Sequence, residues 1–236
     1  MDTISPDPLD APLRSALDPL RQVRVEMVHW NGAASSVARD EVAAEEPLEL
    51  RLSATAAPLA AIMRTPGHDE ELAAGFLYGE GIVRDPRELL GFAPGSDRDG
   101  LPSDNVLEVR AAPGVDLPRR VQEEGYSRQF AVNASCGVCG KNSVETACAT
   151  LPPLPDGALR LAPATLCALP ERLRAGQQVF AHTGGLHAAA LFDTSGTLLH
   201  LREDVGRHNA VDKLVGRSLL DGALPLSERV LLVSGR

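Results

Sequence analysis

Hydrophobic and polar positions alternate in two stretches near the start of the chain, first at Val23, Val25 and Met27, then at Leu48, Leu50 and Leu52 with Glu49 and Arg51 between them. A period of two marks a strand with one covered face, and the apolar run over residues 59–63 predicts a third strand. Thr65-Pro66-Gly67 breaks that run. Asp69-Glu70-Glu71 then opens a helix through Leu72, Ala73, Phe76 and Leu77, with its acids in the first turn where the helix dipole favours negative charge, and Gly79 and Gly81 close it. Residues 91–103 read as a turn-rich loop, 106–109 as a short strand and 126–132 as a strand. A helical pattern begins over 143–149.

The second half opens with a dense breaker cluster at 151–157, Leu-Pro-Pro-Leu-Pro-Asp-Gly, a possible boundary between lobes. Leu166, Leu169, Leu173 and Ala175 follow at helical spacing, with Pro170 expected in a first turn or at a kink. Apolar runs at 188–192 and 198–201 flank Asp193-Thr194-Ser195-Gly196, which is a hairpin signal. Val211, Leu214, Val215 and Leu219 mark an amphipathic helix, and 229–233 a buried strand. The pattern thus mixes strands with helices along the whole chain. Residues 1–20, with Pro6, Pro8, Pro12 and Pro19 among scattered aspartates, read as a disordered leader, leaving 21–236 as the folded domain. A strand followed at once by Ser234-Gly235-Arg236 lacks the helix that would cover it, so C-terminal sequence is expected to be missing.

Composition narrows the function classes. The chain has 236 residues, 44% of them hydrophobic, enough for a proper core. Its N-terminus is acidic and proline-rich rather than basic and then apolar, and no apolar run is long enough to span a bilayer, so the expected location is cytoplasmic. A formal charge of −9 argues against general nucleic-acid binding, which depends on clustered Lys and Arg, while leaving room for a local anion site.

The densest chemistry is Ser-Cys-Gly-Val-Cys-Gly-Lys at 135–141. A thiolate is the nucleophilic form of cysteine, and a strand-to-helix turn beside Lys141 would lower a thiol pKa and raise the thiolate fraction. The neighbouring glycines would let another chain approach. Four readings compete: a zinc knuckle, a pair of ordinary small core residues, a dithiol redox pair and a sulfur-handling loop. Cys148 and Cys167 do not form a second C-x-x-C and sit among apolar neighbours, as small hydrophobes do. The spacer Gly137-Val138 lacks the proline usual in thioredoxin-like pairs. The sulfur-handling loop is the reading these residues favour, and the motif alone does not decide it.

Two further clusters suit anions. His182-Thr183-Gly184-Gly185-Leu186-His187 places two histidines about a glycine turn whose N–H groups could hold a phosphate, although a structural histidine beside a tight turn explains it too. Ala189 stands where the zinc deaminase signature H-x-E requires its glutamate, and the only C-x-x-C lies upstream, so zinc-dependent deamination fits poorly. In residues 201–213, Asp204 reads as a helix cap. Arg207, His208, Asn209 and Lys213 follow near the N-terminal end of that helix, where the dipole does not explain positive charge but a phosphate or pyrophosphate would. A solvated charged face is the alternative.

Taken in order, Thr-Pro-Gly at 65–67 with Asp-Glu-Glu-Leu-Ala-Ala-Gly-Phe-Leu at 69–77, the cysteine motif at 135–141, Thr-Gly-Gly-Leu-His-Ala-Ala at 183–189 and Glu-Asp-Val-Gly-Arg-His-Asn-Ala-Val-Asp-Lys at 203–213 resemble the formate dehydrogenase accessory sulfurtransferase family. The resemblance implies an α/β fold, a cytidine-deaminase-like mixed sheet flanked by helices, with a smaller additional α+β lobe and no zinc. It implies a sulfurtransferase that takes sulfur from a cysteine desulfurase as a persulfide on Cys136, with Cys139 assisting or resolving it. The sulfur then passes to the molybdenum of a bis-molybdopterin guanine dinucleotide cofactor, bound as substrate, for formate dehydrogenase. It also suggests a homodimer. Gly184, Gly185, His187, Arg207, His208 and Lys213 are the candidates for cradling the cofactor's phosphates. A non-catalytic chaperone that binds the same cofactor and delivers it would use those residues without needing Cys136. Members of the family continue beyond the Ser-Gly-Arg motif, which is where this chain departs from them.

Overall fold

The computed structural model describes residues 21–53, 55, 57–123, 131–132 and 159–235. The leader at 1–20, the cysteine motif and the breaker cluster at 151–157 lie outside these residues. The described strands form three sheets. A five-stranded mixed sheet has the order β5-β6-β3-β4-β7, from β3 (Glu46–Leu52), β4 (Pro58–Arg64), β5 (Leu89–Ser96), β6 (Pro102–Ala111) and β7 (Ala131–Val132). A three-stranded antiparallel sheet, β10-β8-β9, is built from β8 (His187–Phe192), β9 (Leu198–Asp204) and β10 (Val230–Val233). A separate ribbon pairs β1 (Gln22–Trp30) with β2 (Ser35–Ala43).

The run of buried residues in β8 explains its lack of alternation, because both faces are covered. Ala188, Ala190 and Phe192 pack against Leu169 and Leu173 of α3 (Pro163–Gly176). Ala189 and Leu191 pack on the other side against Ala210 and Leu214 of α5 (Arg207–Leu220). Helix α1 (Asp69–Gly79) lies between α5 and the larger sheet, where Leu72 and Leu77 join Leu48, Leu50 and Ile62 in the main core. Every residue from Glu71 to Leu77 is buried as a result, so this helix is not amphipathic. Gly75 and Gly216 make the α1–α5 crossing possible. A Cβ on Gly216 would stand 2.7 Å from the Gly75 nitrogen, and one on Gly75 would stand 2.9 Å from the Asp212 Cα. Two short helices, α2 (Leu117–Glu123) and α4 (Gln178–Thr183), complete the described elements, with a 3-10 turn at Pro86–Glu88.

Several expectations are corrected. Much of the predicted loop at 91–103 is strand, shared between β5 and the start of β6. Gly91 and Pro94 are tolerated because β5 is an edge strand whose register shifts at both places. Of the two places expected for Pro170, the first turn is ruled out, since it lies inside α3 and the proline near that helix start is Pro163. The strand at 230–233 is not buried: β10 is an edge, and Leu231 is 49% exposed. The alternation at 23–27 belongs to a ribbon, not to a half-buried sheet, and Val23 and Met27 are exposed. Cys167 is exposed on α3 rather than packed as a small hydrophobe. Among the described residues no helix is long and apolar enough to cross a membrane.

Candidate functional site

The antiparallel register of β8 and β9 sets His187, the first residue of β8, opposite Asp204, the last of β9. This places the Gly-Gly turn and the start of α5 at one end of the small sheet. Ser234, just beyond β10, joins them: its Oγ accepts from the Ala188 N–H at 2.8 Å, and its carbonyl lies 3.4 Å from His187 Nδ1. The segment that follows β4 closes the same corner, since Asn209 Nδ2 donates to the Met63 carbonyl at 2.7 Å and the Val205 N–H donates to Thr65 Oγ1 at 3.1 Å. Three sequence motifs far apart in the chain, at 65–68, 184–187 and 204–213, therefore converge.

β7 runs parallel to β4, Ala61 opposite Ala131 and Ile62 opposite Val132, so the carboxyl end of β7 points the same way as the end of β4 that carries Thr65. Cys136 and Cys139, with Lys141 and Cys148, lie outside the described residues. Ligands in α/β proteins favour the carboxyl ends of strands.

Each candidate for anion binding has a definite place. Arg207 and His208 are exposed in the first turn of α5, whose N-cap, Gly206, offers no side chain. Gly184 terminates α4 in the left-handed region, φ 63°, which suits glycine. Its N–H is already donated to the Phe180 carbonyl at 2.7 Å, so that amide does not face a ligand. Gly185 is half-buried near Ala43 of the ribbon. His187 is half-buried.

Lys213 is different from the rest. Its side chain is fully enclosed, with Nζ 2.7 Å from Asp204 Oδ2 and donating to the Thr65 carbonyl at 2.7 Å. Burial pulls its pKa down, and the Asp204 carboxylate opposes that pull. Asp204 does not cap the helix as expected. It is an internal hub whose Oδ1 accepts from the Gly206 N–H at 2.8 Å and from Asn209 Nδ2 at 2.9 Å.

Around this hub stand residues that pattern reading left out. His68 adopts φ 59°, ψ 35°, a left-handed conformation uncommon for a side chain with a Cβ. Partial burial and then the Arg202 charge lower its pKa, with Glu71 opposing. Glu71 in turn binds Arg202 through both carboxylate oxygens. Arg64 is fully buried and grips Asp69 with two 3.0 Å bonds, fixing the end of β4 to the start of α1. Periodicity carried no signal for these contacts. The one cue was Thr65-Pro66-Gly67, read as a break between elements and as the first of the four family motifs, with no contact assigned to it.

What this corner presents is Arg207 and His208, exposed at a helix N-terminus where an anion could be accommodated, with buried polar bonds behind them. Comparison with known proteins agrees in placing the chain. A protein named Sulfur carrier protein FdhD from Streptomyces avermitilis is 51% identical over 219 residues, covering 90% of this chain and 75% of that protein. A protein of the same name from Sulfurisphaera tokodaii is 43% identical over 218 residues, covering 90% and 76%. A crystal structure of a proposed formate dehydrogenase accessory protein from Desulfotalea psychrophila shares the fold, with a TM-score of 0.60 at 22% identity over 92% of this chain and 74% of that one. Residues 43–236 match the model of the FdhD/NarQ family, and with relatives this similar over nine-tenths of its length the chain belongs to that family.

Proposed function

We propose that this chain is a sulfur carrier that serves the maturation of formate dehydrogenase. The reading rests on its similarity to proteins named Sulfur carrier protein FdhD, 51% identity over 90% of the chain, together with the Ser-Cys-Gly-Val-Cys-Gly-Lys motif at 135–141. In the first step the Cys136 thiolate attacks the outer sulfur of a cysteine desulfurase persulfide. The new S–S bond leaves Cys136 as a persulfide, the donor's own S–S bond breaks, and the donor cysteine departs as a thiolate. Cys139 assists or resolves that persulfide. In the second step the Cys136 S–S bond breaks as the terminal sulfur passes to the molybdenum of a bis-molybdopterin guanine dinucleotide cofactor, the substrate; the reduced metal supplies the two electrons that make that sulfur a sulfide, and Cys136 returns to its thiolate. Arg207 and His208 are the candidate side chains exposed to meet its phosphates, with the Gly185–His187 turn at the same end of the small sheet. The same reading takes the sheet-and-helix core as cytidine-deaminase-like, the remaining strands as a smaller lobe, and the working form as a homodimer. Light scattering that shows a monomer would remove the last of these, and a crystal structure whose strand order cannot be superposed on a deaminase would remove the first.

The decisive experiment incubates the chain with a cysteine desulfurase, cysteine and pyridoxal phosphate and reads the intact mass. One labile sulfur is expected on the wild-type chain, mapping to Cys136 and absent from Cys136→Ala. A wild-type chain that gains no sulfur, or a Cys136→Ala chain that still activates formate dehydrogenase fully, would remove the carrier reading.

A further inference from the structure

Lys213 lies in a motif where a cation could be expected to meet an anionic ligand, yet its ammonium is sealed inside the protein. An enclosed charge is costly unless its partners are well placed, and those partners show what the charge does. All three polar groups of Thr65 are engaged: its N–H donates to Asp204 Oδ2 at 3.1 Å, its carbonyl accepts from Lys213 Nζ, and its Oγ1 accepts from the Val205 N–H. Asp204, 0% exposed, accepts from Gly206 and Asn209 as well, and Asn209 reaches back to Met63. The network joins the residues after β4 to the turn before α5, segments about 140 positions apart in sequence. The next two residues after that turn, Arg207 and His208, face solvent.

We infer that Asp204 and Lys213 are positioning residues for anion recognition at this corner, holding the first turn of α5 and its exposed Arg207 and His208 in fixed relation to the Thr65–His68 loop. The inference rests on the cofactor half of the proposed function and reassigns Lys213 within it. A polar lock suits the place because it satisfies three backbone groups that an apolar pair of equal volume would leave unbonded. The lock is also directional. It sets the orientation of the turn as well as its distance, which is what a site built from one exposed arginine fork requires.

The test uses guanosine diphosphate as the probe, titrated calorimetrically into the full chain. Hydrogen exchange at the Thr65 and Val205 amides and desulfurase-dependent sulfur loading are read on the same preparations. Arg207→Ala is expected to weaken binding about tenfold, the size of one charge-assisted bond, with exchange unchanged. Lys213→Met is expected to weaken binding at least as much, to expose both amides and to leave sulfur loading intact. Adding Asp204→Asn to Lys213→Met removes the stranded carboxylate and should recover part of the affinity, whereas a merely structural lysine would lower sulfur loading and nucleotide binding together. Wild-type affinity or wild-type exchange in Lys213→Met overturns the inference. If Lys213→Met does not fold, Asn209→Ala stands in for it, since it deletes the Met63 and Asp204 bonds and keeps the ion pair. Unchanged affinity in Asn209→Ala is equally fatal. A wild-type chain that loads sulfur but ignores the probe removes the positioning role and leaves the sulfur reading standing, and one that binds the probe but takes no sulfur does the reverse.

Discussion

Gly216 of α5 meets Gly75 of α1 at a backbone-to-backbone contact, so close that a Cβ on Gly216 would stand 2.7 Å from the Gly75 nitrogen. No rotamer change relieves such a clash, because the obstructing atoms are main chain. The crossing holds α1 between α5 and the main sheet, so whatever separates the helices also disturbs the corner built on Thr65, Asp204 and Lys213.

Gly75→Ala and Gly216→Ala should each lower stability by about 3 kcal/mol or more, at or beyond the upper end of ordinary overpacking costs, in denaturant unfolding. Gly79→Ala is the control. Its Cβ would find only Asp212 Oδ1, at 3.9 Å, so it should be neutral or stabilise by up to about 1 kcal/mol. Equal behaviour of all three variants would refute the close-contact account.

Asp212 gives the same crossing a pH dependence. Burial, and then the charges of Glu80 at the end of α1 and Asp204 at the end of β9, raise its pKa to about 7. The native state therefore holds a proton that the unfolded chain has released between about pH 4 and pH 7. Stability from this group is full below that window, falls as pH rises through it and is gone above it. Unfolding at pH 5 and pH 8 should differ by a few kcal/mol more in the wild type than in Asp212→Asn. The same difference in both chains would show that Asp212 titrates normally.

His68 sits at φ 59°, its Nδ1 3.5 Å from a Glu71 carboxylate oxygen. Glycine there removes the left-handed strain but adds freedom to the unfolded chain, so His68→Gly should change stability by less than about 1 kcal/mol. His68→Val places a β-branched residue in that region and should cost about 1–2 kcal/mol. A valine variant as stable as wild type would mean that the loop relaxes to another conformation.

The ribbon carries its own reporter. Trp30 is the chain's one tryptophan and is 65% exposed, with Val28 and Val37 paired beside it and also exposed. Its emission should resemble that of indole in water, and acrylamide should quench it almost as readily as a free tryptophan. Blue-shifted, protected emission would show that the ribbon tip is covered in solution.

The periodic elements were readable because their cause is local. Alternation gave β3, the 3.6-residue pattern gave α5, and Asp193-Thr-Ser-Gly196 gave the β8–β9 hairpin, since turn chemistry and side-chain period act over a few residues. β5 was not readable, because its glycines and proline are admissible only at a sheet edge with shifted register, and edge position is a property of the assembled sheet. The paired strand β2 carried no clear alternation, since both of its faces are largely exposed.

By itself the sequence determined which residues could do chemistry: the cysteine pair at 136 and 139, the glycine turn at 184–185, and the basic start of the helix at 207. Residue type and spacing set those possibilities before any fold forms. Only the tertiary structure decided how they divide between surface and interior. Lys213 and Arg207 are both cations on one helix, six positions apart, yet the packing of α5 against β9 and the end of β4 encloses the first and leaves the second in solvent. Burial and partner geometry arise from segments distant in the chain, so charge patterning could place both residues in one motif without separating the buried cation from the exposed one.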